Sequence, residues 1–599
     1  MLPVMPELKL RPPKNRTFSA NCYTPAVISD TEVREALRRY WGYELFRPRQ
    51  ERIVRSLLED HDTCVVMPTG GGKSLCYELP AVLLAGKTAV VVSPLIALMQ
   101  DQVTQLAQMG IPAAVLNSSL STAEQTEITR AACAGKYRLL YVSPERLARA
   151  DTTIWLQRVP VSFFVIDEAH CISEWGHEFR PDYRRLSRLR AEFPNRPIAA
   201  FTASATRHVR HDIIEQLQLK DPDKYIASFR RPNLRYIVRE CESFEQVDLL
   251  VAALRRHSGH NVIVYSPTIK RVGETAAYLA ASGIPAIEYH GQMDAATRRR
   301  NQERWMSDEV HVLVGTIAFG LGIDKASVRA VIHLSLPKSI EQYYQEAGRA
   351  GRDGKPADCI LLWRQYDVGL LAHFINEIED PAERDRAWGR YRDIRRFVDS
   401  RVCRHRQICL HFGEVPKWTT CGACDVCGCG AEWLYQPVPL PTRPRRKRRK
   451  QKAINQRESA SAKTTTRWMQ SSASSVRTVT QSAETFASLP KADLTTGPAN
   501  HGMKILGSSM SVSAGGIDVD LREHLRQWRR AAAKERSVPA FVVMHDTTLD
   551  DLCRRQPQNL IELRQVHGFG EHKTATYGEE ILAAMKRYRE AKPEIRTNK

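Results

Sequence analysis

The segment Thr63-Cys64-Val65-Val66-Met67-Pro68-Thr69-Gly70-Gly71-Gly72-Lys73-Ser74 passes from a short apolar run through three glycines into an apolar stretch that begins at Leu75. The run before Met67 reads as a buried strand and the stretch after Ser74 as a helix. A strand that hands over to a helix in this way belongs to a parallel α/β layer, where both elements bury one side on the other. The glycines let backbone N–H groups turn toward an anion, and the helix N-terminus adds the positive end of its dipole. Lys73 and Ser74 then follow where a phosphate pair and a Mg²⁺ ion are held in such loops. The strict pattern has glycine where this chain has Met67, so at this point a purely structural glycine turn stays open.

A second strand signal weighs against that alternative. Phe163 to Ile166 is apolar throughout, and Asp167 and Glu168 follow at its C-terminal edge, where open α/β sheets place their chemistry. Asp167 suits a Mg²⁺ ligand and Glu168 suits a residue that orients a water. Beyond His170 the chain carries Trp175, His177, Phe179 and Arg180 among Gly176 and Pro181. A strand or helix bound for the core would not carry that mixture, whereas stacking on bases and contact with phosphates need it.

The whole chain sets limits on these readings. Its 599 residues allow three or four domains. Its longest apolar runs, such as Thr88 to Val92 and Val262 to Tyr265, are strand-length and far short of the ~20 residues that span a bilayer. No apolar stretch with a basic start opens the chain, so an intracellular, reducing compartment and no membrane are expected. Fourteen cysteines suggest disulfides only in short secreted chains, and here six of them fall between Cys403 and Cys429, a clustering that argues for metal. The formal charge of +21 favours a polyanionic partner. About half of that excess lies between Gln436 and Gly515, with fourteen Lys and Arg against three Asp and Glu. This stretch includes the run Arg443 to Lys450 and little periodicity, and it reads as a tether that is either solvated or in contact with nucleic acid.

After about residue 222 the strand and helix signals start again, with apolar strands at Asn261–Tyr265, Ala286–Tyr289, Val310–Val314 and Ala330–Leu334. This second α/β lobe has no glycine-rich phosphate loop after a strand. It does carry Gln345-Glu346-Ala347-Gly348-Arg349-Ala350-Gly351-Arg352, and arginines there suit a reach across a cleft to a γ-phosphate. Farther on, Cys403 is followed after seventeen residues by Cys421-x-x-Cys424-x-x-Cys427, four thiolates spaced for a tetrahedral Zn²⁺ site. An iron–sulfur cluster is disfavoured because the fourth-cysteine spacing and the following proline of ferredoxins are absent. Cys409 and Cys429 are read as bystanders. From Gly516 to about Lys592 helical periodicity returns, as in Leu521-x-x-x-Leu525-x-x-Trp528.

Taken in order, these motifs resemble the RecQ group of superfamily 2 DNA helicases over most of the chain. Phe46 to Gln50 is similar to the family's adenine-reading element, which assigns Arg47 and Gln50 to the nucleotide beside Thr69, Gly70, Gly71, Gly72, Lys73 and Ser74. Ser93 to Gln102 and Tyr141 to Arg146 resemble strand-contacting motifs, and Phe201 to Thr206 resembles the motif that couples hydrolysis to strand handling, with Ser204 where Thr is commoner. Gly315 to Asp324 resembles motif V, which implies that Thr316 meets DNA and Asp324 meets nucleotide. Motif IV departs from the family, since Tyr265-Ser266-Pro267-Thr268 lacks its usual residues.

The resemblance implies two tandem RecA-like lobes, then a helical zinc subdomain, a basic linker and an HRDC-like helical domain. Its boundaries are an arm at 1–30, lobes at 31–222 and 223–365, the zinc subdomain at 366–432, the linker at 433–515 and the final domain at 516–592. It further implies an ATP- and Mg²⁺-dependent helicase moving 3′ to 5′ on single-stranded DNA in recombination, repair and replication. Catalysis then falls to Lys73, Asp167, Glu168, Gln345, Arg349 and Arg352, and strand contact to Ser93, Trp175, His177, Phe179, Arg180 and Thr316. Forked or junction DNA, single-strand-binding proteins and recombination proteins are the implied partners. A cytoplasm associated with the nucleoid, or a nucleus in a eukaryote, is the implied place. No winged-helix segment is evident before the final domain. The alternatives are an RNA helicase and a DNA-structure-binding scaffold with weak unwinding.

Overall fold

The computed structural model describes residues 28–428 and 518–596, apart from 177, 318, 320–324 and 537–539. The expected linker, the expected lack of a winged helix, Cys429, His177 and Asp324 therefore lie outside the described residues.

Seven strands form the first sheet: β1 Thr63–Val66, β2 Thr88–Val92, β3 Ala113–Leu116, β4 Leu139–Val142, β5 Val161–Ile166, β6 Ile198–Thr202 and β7 Asp223–Ile226. Their order is β3-β4-β2-β5-β6-β1-β7, and every pairing is parallel. The interior strands are buried along their whole length because helices cover both faces, which is why they read as unbroken apolar runs. Strand β7 is the exception. Its residues alternate between half-buried and exposed at the sheet edge, and this polar pattern hid it, so the first sheet runs four residues past the expected boundary at 222.

The second sheet holds β8 Leu234–Glu240, β9 Asn261–Tyr265, β10 Ala286–Tyr289, β11 Val312–Gly315, β12 Val328–His333 and β13 Ala357–Trp363. It too is parallel, in the order β10-β11-β9-β12-β13-β8. Helices Gln365–Asn376, Pro381–Asp399 and Arg404–His411 follow. The turn that carries Cys424 forms a bridge to Tyr236 on β8, so the cysteine subdomain rests on the open edge of this sheet.

The final module packs Val519–Glu535, Asp546–Arg555, Leu560–Arg564 and Glu571–Arg596 around Leu525, Leu549, Leu552, Leu563, Val566 and Ile581, all buried. It meets both lobes. His567 stacks on Tyr43 with ring centroids 4.5 Å apart, and His572 Nδ1 lies 2.8 Å from the Gln108 carbonyl. On the second lobe, the Ser327 hydroxyl donates to Asp546 at 2.8 Å and Lys355 pairs with Asp550 at 2.7 Å. A Cβ on Gly570 would come within 2.5 Å of the carbonyls of Arg39 and Tyr40, so the turn from Val566 to Lys573 is packed on the first lobe. No helix among the described residues is long and apolar enough to cross a membrane.

Candidate nucleotide and nucleic-acid site

Three motifs leave the first sheet at one edge because their strands are neighbours. The glycine loop follows β1, Thr202 to Ser204 closes β6, and Asp167-Glu168 follows β5. In a parallel sheet all C-terminal ends point the same way, so the three converge. Gly70 and Gly72 hold φ of 78° and 80°, a left-handed conformation that glycine adopts without a Cβ clash. Gly72 caps the helix Lys73–Leu83, whose first turn carries Lys73 and Ser74.

Within this edge Lys73 Nζ lies 3.7 Å from Glu168, and Glu168 lies 3.3 Å from His170 Nδ1. The same His170 nitrogen is 3.0 Å from the Thr202 hydroxyl. Gln345 Nε2, from the second lobe, donates to the Ser204 hydroxyl at 2.8 Å. A polar chain therefore runs from Lys73 through Glu168, His170, Thr202 and Ser204 to Gln345. Serine at 204 keeps the hydroxyl that this chain needs, so the departure from Thr costs no contact. Burial, reinforced by the Glu168 charge, pushes the Asp167 carboxyl up to about 6, with Lys73 opposing. Burial works against charge on His170, but Cys171 and the Glu168 carboxylate outweigh it and raise the imidazole above its ordinary range.

The second lobe closes the cleft. The helix Ile340–Ala347 delivers Gly348 against the glycine loop so closely that a Cβ there would sit 2.5 Å from the Thr69 hydroxyl. The Arg352 side chain overlies the loop, with its Cγ 3.2 Å from the Cβ position of Gly70. Arg349 instead lies beside the buried Tyr265 phenol. Both arginines act on Tyr265, and of the two Arg352 is the one that reaches over the glycine loop. Tyr265 donates to the Phe319 carbonyl at 3.0 Å, so the atypical motif IV supports motif V from within the core. Arg47 donates to the Gly70 carbonyl. Gln50 Nε2 donates to Gly72 at 3.0 Å while its amide oxygen accepts from the Arg47 N–H at 2.8 Å. Both residues brace the loop that they were expected to serve through adenine.

The aromatic loop folds back on the acidic motif. A Cβ on Gly176 would stand 2.7 Å from the His170 carbonyl, so only glycine lets the loop approach this closely. Trp175 is 60% exposed and lies near His208 and the Arg386 guanidinium. Phe179 faces Arg184, and Arg180 pairs with Glu178 at 2.8 Å and donates to the Pro94 carbonyl at 3.3 Å. Thr316 is half-buried after β11. Ser93, expected at the strand, is only 2% exposed because it closes β2 inside the sheet, so the surface of that motif is made by Ile96, Ala97 and Gln100.

The sulfur atoms of Cys403, Cys421, Cys424 and Cys427 all lie within 4.8 Å of one another, and Cys403 and Cys424 are 4.0 Å apart. A tetrahedral zinc with bonds of about 2.3 Å sets its sulfurs roughly 3.8 Å apart, so the donor set fits. Burial pushes the Cys421 thiol up to about 11 and raises Cys424 further. A metal cation supplies the charge that lets such thiols ionise. Every described cysteine is a free thiol, and Cys409 is buried outside the group of four. Arg404 pairs with Asp425 at 3.0 Å, both nearly buried, and holds the cysteine turn to its helix.

Comparison with known proteins agrees with this geometry. The DEAD/DEAH box helicase family matches residues 47–212 and the helicase conserved C-terminal domain matches 245–354. RecQ zinc-binding matches 365–428 and the HRDC domain matches 518–585. The ATP-dependent DNA helicase RecQ of Haemophilus influenzae is 33% identical over 605 residues, which cover 94% of this chain and 97% of its own. That of Bacillus subtilis is 35% identical over 584 residues, covering 92% and 98%. Among solved structures, the DUF1998 helicase MrfA bound to DNA shares 20% identity at a TM-score of 0.48, over 59% of this chain and 54% of that one. With four domain matches in order and relatives of 33% and 35% identity aligned over more than nine tenths of both chains, the chain belongs to the RecQ family of ATP-dependent DNA helicases.

Proposed function

We propose that this chain moves 3′ to 5′ along single-stranded DNA and unwinds forked or junction duplexes in recombination, repair and replication. The observation that carries the reading is the polar chain from Lys73 to Gln345, which joins the nucleotide edge of one lobe to the other lobe. ATP supplies the phosphoryl bond whose cleavage drives the motion. In this reading Lys73 and the loop N–H groups hold the β- and γ-phosphates, Ser74 and Asp167 hold Mg²⁺, and Glu168 orients the attacking water. Arg352 offsets charge that develops on the γ-phosphate, a role worth roughly 10³–10⁵ in rate for arginine fingers. Gln345 and Arg349 keep the second lobe in register, and Arg47 and Gln50 pass from bracing the loop to meeting the base.

Closure of the cleft on nucleotide and its reopening on release convert turnover into stepping. Trp175, Phe179 and Arg180, with Thr316, suit contact with the strand, since an exposed aromatic beside a guanidinium stacks on bases of any sequence. Partners are then single-strand-binding and recombination proteins, and the place is the bacterial cytoplasm at the nucleoid. Unwinding of a partial duplex with a 3′ single-stranded tail, against one with a 5′ tail and against an RNA duplex, tests the proposal. Strand separation on the 3′-tailed DNA alone is expected. Equal unwinding of both tails, or ATPase stimulation by RNA and not by single-stranded DNA, would overturn it.

A further inference from the structure

Arg231 stands on the segment between β7 and β8 that joins the lobes, and its guanidinium is spread over four carbonyls from both sides of the cleft. Nη1 donates to Thr69 at 3.1 Å and to Gly348 at 3.3 Å, while Nη2 donates to Ala350 at 3.1 Å and to Gly351 at 3.0 Å. Thr69 opens the phosphate loop, and the other three carbonyls belong to the turn that ends in Arg352. Asn233, two residues on, adds donations to Gly351 at 2.8 Å and Lys355 at 2.9 Å. A planar fork with five fixed donors suits this task, and a lysine ammonium has neither the spread nor the plane.

The backbone on which Arg231 stands is held by the cysteine subdomain. His405 Nε2 donates to the Arg231 carbonyl at 3.0 Å, and the other ring nitrogen is 3.2 Å from Cys421 Sγ. Phe412 stacks on Phe229 with ring centroids 4.3 Å apart and planes 11° apart. Glu414 accepts from the Phe229 N–H at 2.8 Å and from the Ser228 hydroxyl at 2.7 Å. From the first lobe, Arg207 donates to the Gly413 carbonyl at 2.8 Å and Arg210 to that of Phe412 at 3.0 Å. His405 therefore connects a zinc-ligand sulfur to the residue that spans the nucleotide cleft.

We propose that Arg231 is a positioning residue that sets the spacing between the phosphate loop and the Arg352 turn, and that His405 and the cysteine subdomain fix where it stands. The inference rests on reading the cleft as the ATP site. Loss of Arg231 leaves the loop and its helix intact on the first lobe, so nucleotide binding changes little. The Arg352 turn loses its tie to the loop, so turnover falls.

The test uses full-length zinc-loaded protein and compares Arg231→Ala, Arg231→Lys and His405→Gln with the unsubstituted chain. It measures strand-stimulated ATPase, affinity for a fluorescent ATP analogue, zinc content and the thermal midpoint. Both Arg231 variants are expected to lose roughly 10- to 100-fold in kcat, the scale of one or two hydrogen bonds from a charged donor, with analogue affinity within about threefold and zinc retained. His405→Gln is expected to keep its zinc and lose about 3- to 10-fold in kcat. A kcat within twofold of the unsubstituted chain in Arg231→Lys would overturn the positioning role. So would affinity and thermal midpoint that fall together in that variant. His405→Gln with full zinc and unchanged kcat would detach the cysteine subdomain from the site. Failure of the unsubstituted chain to hydrolyse ATP would instead refute the reading of the cleft.

Discussion

The two lobes share a parallel sheet with helices on its faces, yet they contribute to the cleft in different ways. The first offers backbone: glycines at φ near 80°, a helix N-terminus and a buried carboxylate at the ends of adjacent strands. The second offers side chains on a helix and turn that press against that backbone, with Gln345 on Ser204 and Arg352 over Gly70. On the proposed reading, a binding surface can be complete on one lobe, but the charge that balances a transferring phosphoryl group comes from the other. Turnover on that reading depends on how the lobes meet.

Three substitutions sharpen that contrast. The largest effect belongs to Lys73→Ala, which removes a first-lobe charge and is expected to lose nucleotide affinity and turnover together. Equilibrium binding of a fluorescent analogue beside a phosphate-release assay checks this, and retained turnover would break the division of labour. Next, Trp175→Ala is expected to leave basal ATPase within about twofold. It should raise the strand concentration for half-maximal stimulation by about 5- to 160-fold, since one stacked base is worth ~1–3 kcal/mol. Titration with single-stranded DNA reads this, and an unchanged half-maximum would make the loop scaffold.

The smallest effect concerns the buried carboxylate. The Asp167 pKa is raised to about 6 in the fold, against an unfolded value near 3.9, so the folded state disfavours the ionised form and stability is lost as pH rises toward and above 6. Asp167→Asn removes that cost. It is expected to abolish turnover while raising stability at pH 7.5 by an amount on the order of 1–3 kcal/mol in chelator without nucleotide. The gain shrinks as pH falls from 6 and vanishes below about 4. Thermal unfolding across pH checks it, and a variant less stable at neutral pH would refute the account of strain at this carboxylate.

Much of the first lobe was legible because its signals are local. Glycine spacing, a carboxylate pair after an apolar run and a Cys-x-x-Cys-x-x-Cys run each carry their geometry within a dozen residues. What escaped were relations between distant segments. Nothing near Arg231 or His405 marks them, since each acts through carbonyls or a sulfur far along the chain. His170 gave no signal of its own, because its bond to Thr202 needs the adjacency of β5 and β6. Ser93 was assigned to strand contact, and its burial depends on the sheet around the end of β2, which no local pattern shows. Strand β7 was missed for the opposite reason, since a polar edge strand lacks the apolar run that announces an interior one.

The claim that the second lobe completes a site that the first lobe builds is tested most directly in Arg352→Ala, by measuring ATP-analogue affinity and strand-stimulated ATPase on the same preparation. Affinity within a few-fold of the unsubstituted chain with hydrolysis reduced about 10³- to 10⁵-fold is the predicted result. Hydrolysis within tenfold of the unsubstituted chain would contradict it.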